Sequence, residues 1–169
     1  MAIKKIKADI PRKSYNYPDG GTINWREVER DPPGKWPGIN GNVETQQIIN
    51  KNTCGSKQTV MGRSVYNPGA YHEPHLHFYA EELMFCLSGR GVVGGLDKVT
   101  GEYKEFILCE GDVQFSPIGE VHWLRNPYDE PVEFIWIYSG ANIALESGYA
   151  TPETFEDAME LYNAKKDVE

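Results

Sequence analysis

From about Asn42 to Ala141 the chain alternates short runs of β-branched, aromatic and other apolar residues with turn residues every eight to twelve positions. Strands are predicted over 43–49, 59–66, 82–87, 91–95, 103–108, 112–116, 121–125 and 132–138. The dipeptides Asn67-Pro68, Ser88-Gly89, Thr100-Gly101, Glu110-Gly111, Ile118-Gly119 and Asn126-Pro127 punctuate them. Short strands in succession, with no helices between them, predict an all-β domain in which two sheets form a roll or barrel. The barrel pattern does not repeat, so a single barrel is expected over 43–141.

The flanking segments read differently. Residues 1–42 carry Pro11, Pro18, Pro32, Pro33 and Pro37 among five glycines, which rules out long regular elements. They also hold Ile10, Tyr15, Tyr17, Ile23, Trp25 and Trp36, too apolar a set for a disordered tail. An N-terminal arm is therefore expected to pack on the barrel or on a partner subunit, with Trp25 and Trp36 in packing roles. In the segment 142–169 a C-terminal helix is predicted from Thr151, which caps it, with Pro152 in the first turn and a stripe of Phe155, Met159 and Tyr162.

All the histidine in the chain falls in two short stretches. The first runs Gly69-Ala-Tyr-His72-Glu-Pro-His75-Leu-His77-Phe-Tyr-Ala-Glu81-Glu82 and closes at Gly89; the second runs from Gly111 through Pro117, Gly119 and His122 to Asn126. Alternate residues of a strand share a face, so His75 and His77 can address one ion, Glu82 can return to it after a bend, and His122 can reach it from another strand. Imidazoles plus one carboxylate suit Fe, Mn, Ni, Zn, Cu or Co and suit the oxygen-seeking Ca and Mg poorly.

These stretches resemble the paired signatures of the cupin superfamily. Gly69, His75, His77, Glu82 and Gly89 fall at the intervals of the first motif, and Gly111, Pro117, Gly119, His122 and Asn126 at those of the second. The motifs and their strands span roughly 60–140, about half the chain. The resemblance implies a double-stranded β-helix, the cupin or jelly-roll barrel, holding one divalent transition-metal ion on His75, His77, Glu82 and His122. It implies no single reaction, because cupins include dioxygenases, decarboxylases, isomerases, epimerases, lyases and non-catalytic binding domains.

Strand parity sorts the neighbours. Glu81 competes with Glu82, but only Glu82 keeps the interval to Gly89, which leaves Glu81 a solvated or supporting carboxylate. His72 has opposite parity to His75, with Pro74 interrupting the strand between them, and reads as a rim residue suited to relaying a proton. Tyr79, Met84, Cys86, Leu124 and Asn126 share parity with ligands and are expected to face inward. Phe134, Trp136 and Tyr138 share one face of the last strand and Glu133, Ile135 and Ile137 the other. With the rings inward the cavity is an aromatic box; with the rings outward it is lined by aliphatics and Glu133. We take the inward reading. Arg63, Tyr71, Arg90 and Arg125 are candidate anchors for a substrate carboxylate or enolate.

Composition narrows the function. The 169 residues are 40 % hydrophobic and 25 % charged, which suits one globular domain. A net charge of −8 and a pI near 5.1 argue against nucleic acid and anionic membrane as partners. The opening residues are basic but lack the apolar run of a secretion leader, and no stretch is long and apolar enough to span a bilayer, so the expected location is the cytoplasm. Cys54, Cys86 and Cys109 have neither disulfide nor zinc-knuckle spacing, and Cys86 and Cys109 read as small core residues. The leading expectation is an Fe(II) dioxygenase-type oxidoreductase acting on a small molecule, in a homodimer. The alternative is a metal-assisted isomerase, epimerase or lyase in which His72, Glu81, Tyr71 or Tyr138 moves a proton. A non-catalytic small-molecule-binding cupin is the third reading.

Overall fold

The computed structural model describes residues 23–96 and 100–151. The helix predicted from Thr151 onward, with Phe155, Met159 and Tyr162, lies outside the described residues, as do Ile10, Tyr15 and Tyr17 of the arm.

In chain order the strands are β1 (Ile39–Asn40), β2 (Val43–Ile49), β3 (Thr59–Tyr66), β4 (Tyr71–His77), β5 (Glu81–Ser88), β6 (Arg90–Leu96), β7 (Tyr103–Cys109), β8 (Val113–Ser116), β9 (His122–Arg125), β10 (Val132–Ser139) and β11 (Tyr149–Ala150). A single helical turn, α1 (Lys51–Cys54), separates β2 from β3; Asn50 caps its start and Gly55 its end. The strands form two antiparallel sheets. One has the order β1-β4-β9-β6-β7 with β11 also on β4, and the other the order β2-β3-β10-β5-β8. This is the all-β jelly roll expected from the strand pattern.

The core lies between the sheets. Val93, Leu108 and Leu124 from the first meet Val60, Met84, Cys86, Val132 and Phe134 from the second in one buried cluster. The choice of face on β10 is settled by alternation: Val132, Phe134, Trp136 and Tyr138 are buried, while Glu133, Ile135 and Ile137 are only partly so. The aromatic face is the inner one.

Two strands lie beyond the 43–141 span of the expected barrel. β1 pairs with β4 at His72 and Tyr71, and β11 pairs with it at His77 and Leu76. Segments from both flanks thus share one edge of the histidine strand. The other described part of the arm lies against β2, where Gln46 Nε2 donates to the Trp25 and Val28 carbonyls and the Asp31 amide donates to Thr45 O.

Close backbone approaches explain two glycines. Gly89 turns β5 into β6 at φ 74°, and a Cβ there would sit 2.2 Å from Pro131 O. Gly62 pairs with Trp136, and a Cβ there would sit 2.1 Å from the indole ring. The indole lies directly against that glycine as part of the inner wall. Gly91 also lies in a strand, near the start of β6, but the nearest atom to its added Cβ is 3.4 Å away.

Gly62→Ala is expected to cost about 2 kcal/mol or more by overpacking a stiff ring, whereas Gly91→Ala should change stability by less than about 0.5 kcal/mol. Urea unfolding of the two variants beside the parent checks the contrast; equal midpoints for both variants would contradict the seating of Trp136 on Gly62.

Candidate metal centre

The centre is assembled across the gap between the sheets. β4 supplies His75 and His77, β9 supplies His122, and β5 in the opposite sheet supplies Glu82. All four are buried, and one ligand atom from each lies within 4.8 Å of the others. Glu82 Oε2 is 2.7 Å from His122 Nε2, 3.3 Å from His77 Nε2 and 4.0 Å from His75 Nε2.

Partners behind each ring set its orientation. His75 Nδ1 lies 2.8 Å from Glu73 O, and His122 Nδ1 lies 2.9 Å from Glu120 O. A carbonyl only accepts, so each Nδ1 carries the proton; His75 then turns the lone pair of a neutral ring's Nε2 to the centre, whereas His122 Nε2 donates to Glu82 Oε2. His77 Nδ1 meets Ser147 Oγ at 2.9 Å. The Nε2 atoms of His75 and His77 are buried with no hydrogen-bond partner. Such orphaned acceptors are costly unless something occupies the centre, and three imidazoles with one carboxylate fit a divalent transition ion.

Electrostatics point the same way. Burial pushes His75 well below the ordinary histidine range, and the neighbouring rings of His72, His122 and His77 push it further. Burial raises Glu82, but the hydrogen bond from His122 and the nearby His77 imidazole outweigh it and hold the carboxyl well below its usual range. Burial also lowers His122, and the bond to Glu82 overrules it, so His122 is raised.

His72 is where strand parity fails. β4 and β9 pair His72 with Leu124 and His75 with His122, so three steps on β4 face two on β9. The extra residue is a bulge at Glu73–Pro74, where proline has no N–H for the ladder. The bulge returns His72 to the inner face, and its ring stacks on His75 with centroids 3.8 Å apart. Burial lowers its pKa to about 4, and it bonds the Pro37 backbone. Its Nε2 has no partner.

A cavity of about 250 Å³ opens from the centre, walled by Tyr66, Met84, Leu124, Phe134, Trp136 and Tyr138, with Trp36, Pro37, Leu145 and Tyr149 among its other lining residues. Tyr138 packs on His77 at 4.6 Å between centroids, and its phenol is held far above its ordinary range, first by burial and then by Glu82. Tyr149 stacks on His75 at 5.1 Å. Tyr66, Ser147 and Tyr149 escape a reading from the motifs: Tyr66 sits on an alternating strand whose inner face only the fold reveals, and the other two come from a segment with no strand signal.

Other expectations need correction. Glu81 lies on the outer face of β5, half-buried, and Tyr71 is 45 % exposed, so neither lines the cavity. Arg63 pairs with Glu133 at 2.6 Å and lies over Trp25; Arg125 pairs with Glu105; Arg90 lies over Tyr128. None of these arginines reaches the cavity. Tyr79 is 55 % exposed, because the chain leaves the strand at His77 and parity lapses. Cys86 is a buried core residue as expected, with its thiol toward the Ser88 and Gly89 carbonyls, and Asn126 is buried as expected, with its amide on Tyr66 O and Glu130 O; Cys109, expected in the core, is exposed. Trp36 joins the cavity lining, whereas Trp25 packs under Arg63 on the outside.

Comparison with known proteins decides the family. The model of the cupin domain matches residues 62–138. The chain belongs to the cupin superfamily. It is 33 % identical over 132 residues to Germin-like protein 5-1 of Oryza sativa subsp. japonica, a match covering 76 % of this chain and 54 % of that one. This cupin spans about half the length of the first curated relatives it matches, at 52 %, 41 % and 54 %. Its fold is similar to that of a predicted oxalate decarboxylase from Thermotoga maritima, with TM-score 0.60 and 24 % identity over 70 % of this chain and 98 % of that one. It is also similar to that of the polyketide cyclase RemF from Streptomyces resistomycificus, with TM-score 0.60 and 18 % identity over 87 % and 93 %. Among the described residues no helix is long and apolar enough to cross a membrane.

Adding Zn(II) to metal-depleted protein at roughly a hundred times its Kd should stabilise the fold by about 2.7 kcal/mol. Thermal unfolding should show this shift in His72→Ala and lose it in His77→Ala and Glu82→Gln. Without metal, stability should fall as pH drops from 6.5 toward 4, because unfolded His72 and His75 take protons that the fold refuses, and Glu82 should add a further loss at lower pH. His122, raised in the fold, acts in the opposite sense above 6.5. A metal-free urea midpoint that rises on acidification would contradict this balance.

Proposed function

We propose that this cupin is a metal-dependent enzyme acting on a small, flat, largely apolar organic molecule, with Fe(II) on His75, His77, Glu82 and His122 and dioxygenase-type oxidation as its reaction. The observation that carries this reading is the convergence of four buried ligand atoms within 4.8 Å at the wall of an aromatic cavity. When bound, iron supplies electrons for dioxygen and polarises a substrate oxygen. The cavity walls, Trp136, Tyr138 and Phe134 above all, hold a flat substrate and exclude water around the reacting atoms.

His72 is the proposed proton acceptor. Its bond to the Pro37 backbone falls to Nδ1, since Nε2 has no partner, and this leaves the Nε2 lone pair buried and unpaired in the cavity wall. A histidine kept neutral at physiological pH can take the hydroxyl proton of an enol or catechol as it binds. Tyr138, a phenol held protonated beside Glu82, is the proposed donor. Glu81 and Tyr71 have no part in this scheme because both lie away from the cavity. The presence of an acceptor and a donor at one wall also supports a second reading, a metal-assisted isomerase, epimerase or lyase in which His72 and Tyr138 move a proton at a carbonyl compound. For the homodimer we propose the exposed apolar side chains Phe85, Leu87, Val113 and Phe115 of β5 and β8 as the contact.

Metal analysis of the purified protein should find iron in excess of zinc and nickel, and an oxygen electrode should register uptake with a catechol or a 1,3-diketone. His72→Ala should lower kcat about a hundredfold or more while leaving the metal content unchanged. Isomerisation or proton exchange in heavy water, without oxygen uptake, would transfer the assignment to the second reading.

A further inference from the structure

The cavity carries a second polar feature remote from the metal centre. Ser64 and Thr45 face inward from neighbouring strands, are 2 % and 7 % exposed, and line the cavity among apolar side chains. Ser64 pairs with Phe134 and Glu82 pairs with Tyr138, so the two levels are four residues apart along β10, about 13 Å at the strand rise.

The protons of this cluster can be counted. Trp136 Nε1 donates to Ser64 Oγ at 3.0 Å, Thr45 Oγ1 and Ser64 Oγ lie 2.5 Å apart, and Thr45 Oγ1 also reaches Arg63 O at 3.3 Å. With Ser64 donating to Thr45, the threonine proton goes to the long bond with Arg63 O. With Thr45 donating to Ser64, both serine lone pairs are filled, by Trp136 and Thr45, and the serine proton turns into the cavity. Switching between the two costs only the longest and weakest bond of the set. One acceptor would satisfy the indole, so the second hydroxyl is surplus to packing, and it equips Ser64 to donate.

Charge restricts the ligand independently. Among the described residues lining the cavity there is no lysine or arginine, and Arg63, Arg90 and Arg125 are engaged elsewhere. A divalent ion with Glu82 carries a net single positive charge. A monoanion neutralises it, whereas a dianion such as oxalate leaves an uncompensated buried charge.

We infer that Ser64, set by Thr45, is a second polar subsite that donates one hydrogen bond to a carbonyl oxygen at the far end of a flat aromatic ligand, and that the cavity takes neutral or singly ionised ligands in preference to small dianions. This deepens the reading above and rests on it for the end of the ligand that meets the metal.

The test uses isothermal titration calorimetry under nitrogen, on Zn(II)-loaded and metal-free protein, with 3,4-dihydroxyacetophenone, with 4-ethylcatechol, in which the carbonyl is replaced by a methylene, and with oxalate as competitor. The acetyl compound should bind the parent about fivefold more tightly than the ethyl compound. Ser64→Ala should bring that ratio close to one, and Thr45→Val, which removes the partner but not the donor, should keep it. Any general damage from the orphaned Trp136 N–H weakens both catechols alike and cancels in the ratio. A ratio unchanged in Ser64→Ala, no preference in the parent, or failure of both catechols to bind would overturn the subsite. Displacement of the acetyl compound by an equal concentration of oxalate would overturn the charge selection. Zinc is redox-inert, so these results stand apart from turnover: a preserved ratio without oxygen uptake removes the dioxygenase reading and leaves the subsite, and a lost ratio with oxygen uptake does the reverse.

Discussion

The constraint on which this fold turns is a buried carboxylate of one sheet set against three imidazoles of the other. Glu82 is held ionised in the interior although burial opposes it, and His75 and His77 point unpartnered nitrogens at the same place. Buried ionic and polar groups are tolerated when every member is satisfied and are costly when one is not. A divalent ion would satisfy all of them at once and cross-link the two layers. The hydrogen bonds from His75 and His122 Nδ1 to Glu73 O and Glu120 O, with that between His77 Nδ1 and Ser147 Oγ, show the scaffold already committed to presenting Nε2 inward.

The family's glycines and its asparagine support the same centre without touching it. The Gly119 amide donates to His77 O, Gly69 N donates to Asn126 O, and Asn126 ties Tyr66 O to the turn at Glu130. These bonds hold the two histidine strands in register. Gly62 does comparable service on the cavity side by leaving room for the Trp136 indole, whose N–H reaches Ser64.

Much of this was legible in the sequence. Alternation and turn residues located eight of the eleven described strands, with β1, β11 and the histidine strand β4 outside the predicted spans, and the spacing of His75, His77, Glu82 and His122 named the residues that the structure brings together. What escaped has identifiable physical causes. Parity counting assumes an unbroken ladder, so the bulge at Pro74 hid the inward turn of His72, and the end of β4 at His77 released Tyr79 to the surface. Long cationic side chains carry no periodic signature of their partners, so the pairing of Arg63 with Glu133 and of Arg125 with Glu105 had to come from three dimensions. Tyr149 and Ser147 lie in a segment whose two-residue strand is too short to leave a pattern, and its pairing with β4 is a tertiary choice.

The shared edge of β4 separates two properties that are often entangled. Ion-gripping side chains stand on strands pinned into the body of the sandwich, while part of the cavity lining comes from Trp36 and Pro37 upstream and from Leu145 and Tyr149 downstream, in stretches that pair along one border of β4. Within those stretches Trp36 and Leu145 can change composition while Ser147 keeps its bond to His77 and the Pro37 backbone its bond to His72. The shape of the pocket can thus vary at individual side chains while the backbone that carries them goes on steering the ion's ligands, so diversification on this plan is expected by substitution rather than by insertion.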